Sequence, residues 1–308
     1  MSALSAAELR AGPEPPARHR RVWVLAYLLV LPALVVFGVF TFYPFFKNFK
    51  LALYQTPPVP GLPSHYVGLH QVGQVLSSSN FLTSLGTTFL YVVLVVPASL
   101  VAGLALAVAA HRKLKGVGVY RTLFSSTIVS SVAVAALVFG TLMNPVVGLL
   151  PWLGINPTPP LLENTTWALP SVALMTIWQF LGLSFIIMTA GLQSLPDEVL
   201  EAARIDGASS WTRFWRIIVP LLSPTIFFGL VIGTIFAFQT FGQIDILIGP
   251  TQASYLHTNV LIYNIVNTLQ QDNNTGAAAV MAIALFFITL LLTLLQFRFL
   301  ERRVHYGN

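Results

Sequence analysis

Residues 195–224 read LPDEVLEAARIDGASSWTRFWRIIVPLLSP, the most polar long segment between two very apolar ones. Pro196 suits a first helical position, where its missing N–H would have no partner anyway. Asp197 and Glu198 follow in the first turn, where the positive end of the helix dipole favours anions. Val199, Ala202, Ala203 and Asp206 share one face at helical spacing. Gly207 then ends the helix as a left-handed cap. Ser209 caps a second short helix, with Phe214, Ile217 and Ile218 as its apolar stripe and Pro220 and Pro224 as its punctuation. The stretch is therefore a short helix, a glycine break and a second short helix, set between two long apolar runs.

Those apolar runs decide the class. The chain has 308 residues, 56% of them hydrophobic and 8% charged, against about 25% charged in a soluble domain. This is an all-α integral membrane protein. Spans are expected near 23–46, 82–110, 117–143, 168–192, 222–247 and 277–300, each close to the roughly 20 residues that cross a bilayer core. Residues 1–21 form a disordered basic tail rich in proline, and 22–308 a single transmembrane domain. The first apolar run lacks a small-x-small cleavage site and exceeds a signal-peptide core, so it reads as a retained anchor.

Net charge is +6, but its placement points to a membrane and not to nucleic acid. The tail holds four Lys and Arg, the 111–121 loop four, the 193–221 segment three and the C-terminal end three. The 47–81 connection holds two, and the 144–168 and 248–276 connections none. Alternate connections thus carry 14 of the 16 positive charges. By the positive-inside rule both termini and residues 195–220 face the cytoplasm. Trp152 and Trp167 stand as interface anchors on the opposite side.

The order Glu201-Ala202-Ala203, Asp206-Gly207-Ala208 and Val219-Pro220 resembles the signature loop of permease subunits of ABC importers. The family's usual Leu before the last Pro is Val219 here. The likeness continues through Leu31-Pro32-Ala33, Tyr43-Pro44, Val67-Gly68-Leu69, Tyr120-Arg121-Thr122-Leu123, Asn144-Pro145 with Gly148, and Gly276-Ala277-Ala278-Ala279. It spans residues 25–300 and is nearest to the first permease of two-permease sugar and glycerol-phosphate systems. Serines at 125, 126, 130 and 131 replace the family's usual third-span proline, and Ile248-Gly249-Pro250 its Gly-Gly-Pro. The resemblance implies six transmembrane helices with a cytoplasmic coupling helix between the fourth and fifth. It implies that Glu201, Ala202, Ala203, Asp206, Gly207, Ala208 and Pro220 carry coupling to an ATPase subunit. It also implies a second permease, two ATPase subunits that bind ATP and Mg, an extracytoplasmic substrate-binding protein, and a bacterial inner membrane.

The chain carries no Gly-Lys pair, hence no phosphate-binding loop, so energy arrives from a partner or a gradient. It has no cysteine, and its histidines lie in tails and connections without metal-ligand spacing, so no metal or catalytic constellation is expected. Polar groups inside a membrane are costly and mark candidate paths. Gln179 in the fourth span, and Gln239, Gln243 and Asp245 late in the fifth, are the substrate-path candidates, with Gln239, Gln243 and Ile246 expected on one face. The span-three serines read as bonded to their own backbone. Gly229 and Gly233, and the small residues Ala98, Ser99, Ala102, Gly103 and Ala107 of span two, read as internal helix packing. A gradient-driven secondary transporter is the alternative, although no internal repeat is visible and Asp245 is not central.

Overall fold

The computed structural model describes residues 17–57, 62–111, 116–249, 254–299 and 301. The chain groups into two units, Met1–Leu51 and Ala52–Asn308.

The first unit is helical throughout its described residues. Helix α1 (Ala17–Phe37) runs through Pro32 into a π-helical turn, Gly38–Phe42, and continues as α2 (Tyr43–Leu51). Helix therefore begins at Ala17, inside the stretch expected to be a disordered tail; residues 1–16 of that tail lie outside the described residues. The π turn has a local cause. Tyr43 N–H bonds to the Gly38 carbonyl five residues back, just before Pro44, which has no N–H and whose ring crowds the preceding turn.

The second unit opens on two short antiparallel strands, β1 (Tyr54–Gln55) and β2 (His65–Tyr66), with Tyr54 opposite Tyr66. Helix α3 (His70–Leu76) leads to α4 (Ser79–Ala110), capped by the Ser78 hydroxyl, which accepts from Phe81 N–H at 3.2 Å. Helix α4 passes through Pro97 without a break.

The third span differs from its expected form. Helix α5 (Val117–Ser125) passes through a 3₁₀ turn, Ser126–Val129, and then breaks before α6 (Val132–Leu142), the two parts meeting at 104°. Ser131 makes the break, since its hydroxyl caps α6 by accepting from Val134 N–H at 3.2 Å. Ser125, Ser126 and Ser130 bond carbonyls three or four residues back at 2.7–2.8 Å, as expected for serine in an apolar helix.

After α7 (Leu149–Trp152) the fourth span, α8 (Ala168–Gln193), is continuous. Helix α9 (Asp197–Ile205) and α10 (Ser210–Arg213) follow. A second π turn, Phe214–Ile218, leads into α11 (Val219–Leu221), with Val219 N–H bonded to the Phe214 carbonyl immediately before Pro220. The same proline physics thus acts twice. Helix α12 (Ser223–Phe238) bends away from this segment by 66°. The fifth span stops at Phe238 and not at 247; residues 239–241 are non-helical before the short α13 (Gly242–Leu247). Two more helices, α14 (Tyr255–Thr258) and α15 (Leu261–Gln270), occupy a region expected to be a plain connection, and α16 (Thr275–Phe299) is the last span.

Helices α4 and α8 form the centre. A Cβ added to Gly103 would lie 2.5 Å from the Ser184 Cβ and 2.8 Å from its backbone carbon, so the two backbones approach as closely as glycine permits. Ser184 is thereby part of the helix packing. Helix α12 joins through glycine too: a Cβ on Gly229 would meet Leu100 at 2.8 Å and one on Gly233 would meet Val96 at 3.1 Å. The small residues serve internal packing, as their spacing suggested.

Buried polar side chains pair across helices, as apolar surroundings require. Tyr91 donates to Thr176 at 2.6 Å, linking α4 to α8. Asn264 on α15 donates to Ser84 at 2.9 Å and accepts from Asn80 at 3.1 Å, fastening α15 to α4.

Candidate functional site

The coupling candidates fall on α9 and its C-terminal turn. Pro196 is the residue before the helix, with φ −63° and ψ 123°, and so stands one position earlier than expected. Gly207 has φ +72°. Gly207 N–H bonds to the Arg204 carbonyl at 3.1 Å and Ala208 N–H to the Ala203 carbonyl at 3.1 Å. This pair of bonds is the Schellman closure, which satisfies carbonyls left over at a helix end and needs a left-handed residue at that position. Ser209 then accepts from Thr212 N–H at 3.1 Å and starts α10. The glycine and the cap together fix how α9 is presented.

Exposure sorts the candidates. Glu201, Ala202, Asp206 and Gly207 are exposed, and Ala208 and Pro220 are half-buried. Ala203 is 6% exposed and packs against its own chain. Its side chain therefore supports the seating of α9, while Ala202 beside it is exposed. The outward apolar residue is Ile205, 86% exposed at the end of α9. Sequence spacing pointed past it, although a branched apolar side chain between Arg204 and Asp206 was the available signal. Trp211 and Trp215, 72% and 51% exposed, stand four residues apart with ring centroids 5.6 Å apart.

The path candidates separate into two groups. Gln243, 9% exposed on α13, donates from Nε2 to Oε1 of half-buried Gln179 on α8 at 3.2 Å. The structure brings these two together from different spans. Gln239 is exposed in the non-helical break and does not share a helical face with Gln243 and Ile246, because the helix ends at Phe238. Asp245 is exposed, as is its neighbour Ile246. A cavity of 530 Å³ lies beside α6 and α13, lined by Ala136, Gly140, Thr141, Asn144, Ile246 and Leu247 among others. The four path candidates are not among its lining residues. His65, His70, His111 and His257 are exposed, and no group of three His, Asp or Glu among the described residues could hold a metal ion.

A helical chain with four continuous apolar helices and two bent pairs, carrying a polar helix–turn–helix between the fourth and fifth spans, has the architecture of a transport permease. The model of the family described as binding-protein-dependent transport system inner membrane component matches residues 66–306, and the chain belongs to that family. It is 39% identical over 292 residues to the sn-glycerol-3-phosphate transport system permease protein UgpA of Agrobacterium fabrum, covering 92% of this chain and 97% of the relative. The same-named protein of Rhizobium meliloti is 37% identical over 291 residues, with the same shares covered. Among solved structures, a bacterial ABC transporter involved in import of the acidic polysaccharide alginate superposes with TM-score 0.77 at 22% identity, covering 92% of this chain and 96% of that one. The fold is shared with that transporter. The chain is a multi-pass inner-membrane permease of the ABC importer type, and this membership favours ATP-driven transport over the gradient-driven alternative.

Proposed function

We propose that this permease forms half of a translocation path for a glycerol-phosphate-type polyol ester and receives ATP-driven motion through residues 195–220. The observation that carries the coupling reading is the exposed α9 helix, closed by Gly207 at φ +72° and ending on Ile205 at 86% exposure. Such a rigid, small-residue knob suits a groove on an ATPase subunit. Glu201, Ala202, Asp206 and Gly207 form its outer surface, while Ala203, Ala208 and Pro220 hold it in place. Two ATPase subunits binding ATP and Mg, a second permease and an external binding protein complete the assembly, with both termini cytoplasmic.

The substrate class is supported by the names of relatives 34–39% identical over nearly their full lengths. A phosphate ester needs cationic groups or helix N-termini, and before Arg298 the expected spans hold one such group, Arg121, near the start of the third, where it donates to the Ala110 carbonyl. This chain therefore meets the hydroxyl part of the solute through amides, Gln179 and Gln243 foremost, with Gln239 and Asp245 at the rim. The charge is met by the second permease.

Purifying the chain from its own membranes and identifying what accompanies it tests the assembly. A ligand screen on the accompanying binding protein, with sn-glycerol-3-phosphate, glycerol and neutral disaccharides, tests the substrate. Binding of a neutral disaccharide alone would overturn the polyol-phosphate assignment.

A further inference from the structure

A second cavity, of 480 Å³, lies at the coupling segment and is unrelated to the path candidates. Its apolar lining is Val108 near the end of α4, Leu192 near the end of α8, Leu200 of α9, and Phe214 and Ile218 of the second π turn. Its polar lining is unbalanced. Arg204, Arg213 and His111 line the cavity together with one carboxylate, that of Glu201. The cavity therefore sits where two membrane spans end, and its lining is part apolar and part cationic. Inorganic phosphate gains nothing from the apolar lining; an amphiphile with an anionic head satisfies both kinds of lining.

We propose that this cavity holds the headgroup of one anionic phospholipid of the cytoplasmic leaflet. Basic pockets between the cytoplasmic ends of membrane helices are suited to anionic headgroups, each Arg near the surface contributing about fivefold in affinity. A second observation sets the depth. Phe214 and Ile218 face the cavity, while Trp211 and Trp215 on the same segment do not line it and stay exposed as a touching pair. Exposed tryptophans of this kind mark the membrane–water interface, and span α12 begins at Ser223, close behind them. A lipid seated between α9 and the π turn would fix the distance of the coupling helix from the bilayer. This inference rests on the cytoplasmic placement of residues 195–220.

The test is native mass spectrometry on the chain purified with whatever subunits accompany it, delipidated in neutral detergent and titrated with phosphatidylglycerol or phosphatidylcholine. One phosphatidylglycerol should be held at least about tenfold more tightly than phosphatidylcholine. Arg204→Gln with Arg213→Gln should reduce it to the phosphatidylcholine level. Arg204→Lys with Arg213→Lys should keep most of the preference, and Arg216→Gln, outside the cavity lining, should keep all of it. The rise in thermal midpoint on adding phosphatidylglycerol should vanish in the glutamine pair alone. Equal retention of both lipids, an unchanged glutamine pair, or displacement by millimolar inorganic phosphate would each overturn the proposal. Cysteine labelling at Ser210 tests the placement separately, so a wrong topology is distinguishable from a missing lipid site.

Discussion

Gln243 on α13 and Gln179 on α8 are 64 residues apart in sequence and share a 3.2 Å hydrogen bond, side chain to side chain. The bond spans a break in the fifth span. Phe238 ends α12, and the chain re-enters helix at Gly242, which turns Gln243 inward while Gln239 stays exposed. A broken helix at membrane depth is tolerated where the freed backbone meets protein or a water-filled path.

Replacing Gln243 by Leu leaves the Gln179 carbonyl without its donor, a loss of about 1–3 kcal/mol where it is buried. Gln179→Leu should act similarly from the other side. In a double-mutant cycle the thermal losses should be less than additive. If the pair meets solute, uptake should fall roughly tenfold in all three variants while assembly persists. Uptake restored in the double variant would make the pair a packing device only.

A different pair of substitutions tests the centre of the fold. Gly103→Ala places a methyl against the Ser184 backbone at a distance that real contacts do not show, so α4 must move from α8; the expected cost is about 1–3 kcal/mol, as for overpacking. Gly86 lies on the same helix with nothing within 4 Å of an added Cβ. Gly86→Ala should be neutral or stabilise by up to about 1 kcal/mol. Thermal unfolding of the purified variants decides: equal midpoints would show that α4 and α8 do not approach closely.

Much of this was legible beforehand where a residue carries a local mechanism. The Gly207 closure, the Ser209 cap, the backbone-bonded serines and the small-residue packing of α12 each follow from one residue's stereochemistry or size. Hydropathy alone hid the breaks at 130–131 and 239–241, because apolar residues resume beyond each, at Val132 and at Ile244; Ser131 was the cap that could have marked the first. The two π turns were readable only as Tyr43-Pro44 and Val219-Pro220. Helix α15 was missed because Asn264 and Asn267 made it resemble a polar connection, while in the fold Asn264 is bonded to Ser84 and Asn80. The inward turn of Ala203 depends on how α9 seats against the spans, which no helical wheel contains.

Topology is open to a direct check, since the chain contains no cysteine and single reporters are unambiguous. Ser64→Cys, Thr165→Cys and Asp272→Cys occupy exposed positions in the three connections poor in Lys and Arg. A membrane-impermeant maleimide should label them in spheroplasts, and Ser210→Cys only after permeabilisation. Asn164 and Asn273 are avoided because the first accepts backbone N–H bonds from Thr166 and Trp167 and the second holds φ 51°. Labelling of Ser210→Cys without permeabilisation would reverse the orientation.

Coupling gives the sharpest test, because two variants damage α9 by unrelated physics. At Gly207 an added Cβ meets nothing within 4 Å, but the φ of +72° stands. Gly207→Val therefore acts through the backbone alone, with strain of about 1–3 kcal/mol for a β-branched residue there. Relief of that strain unwinds the Schellman closure and re-aims α9. Gly207→Asn, which tolerates the left-handed region, should be milder. Ile205→Asp leaves the backbone intact and places a carboxylate where an apolar side chain, 86% exposed in this chain, would be covered by an ATPase groove. Neither change touches the α4–α8 centre, so membrane levels and pairing with the second permease should persist. Ala203→Trp is a different experiment, since Ala203 is already buried; it should lower the amount of folded protein. Gly207→Val and Ile205→Asp should lose ATPase association, binding-protein-stimulated hydrolysis and uptake together, with Gly207→Asn between them and wild type. Both variants at normal levels with full ATP-driven uptake would reduce residues 195–220 to a surface loop, and the coupling contact would have to lie elsewhere on the cytoplasmic face.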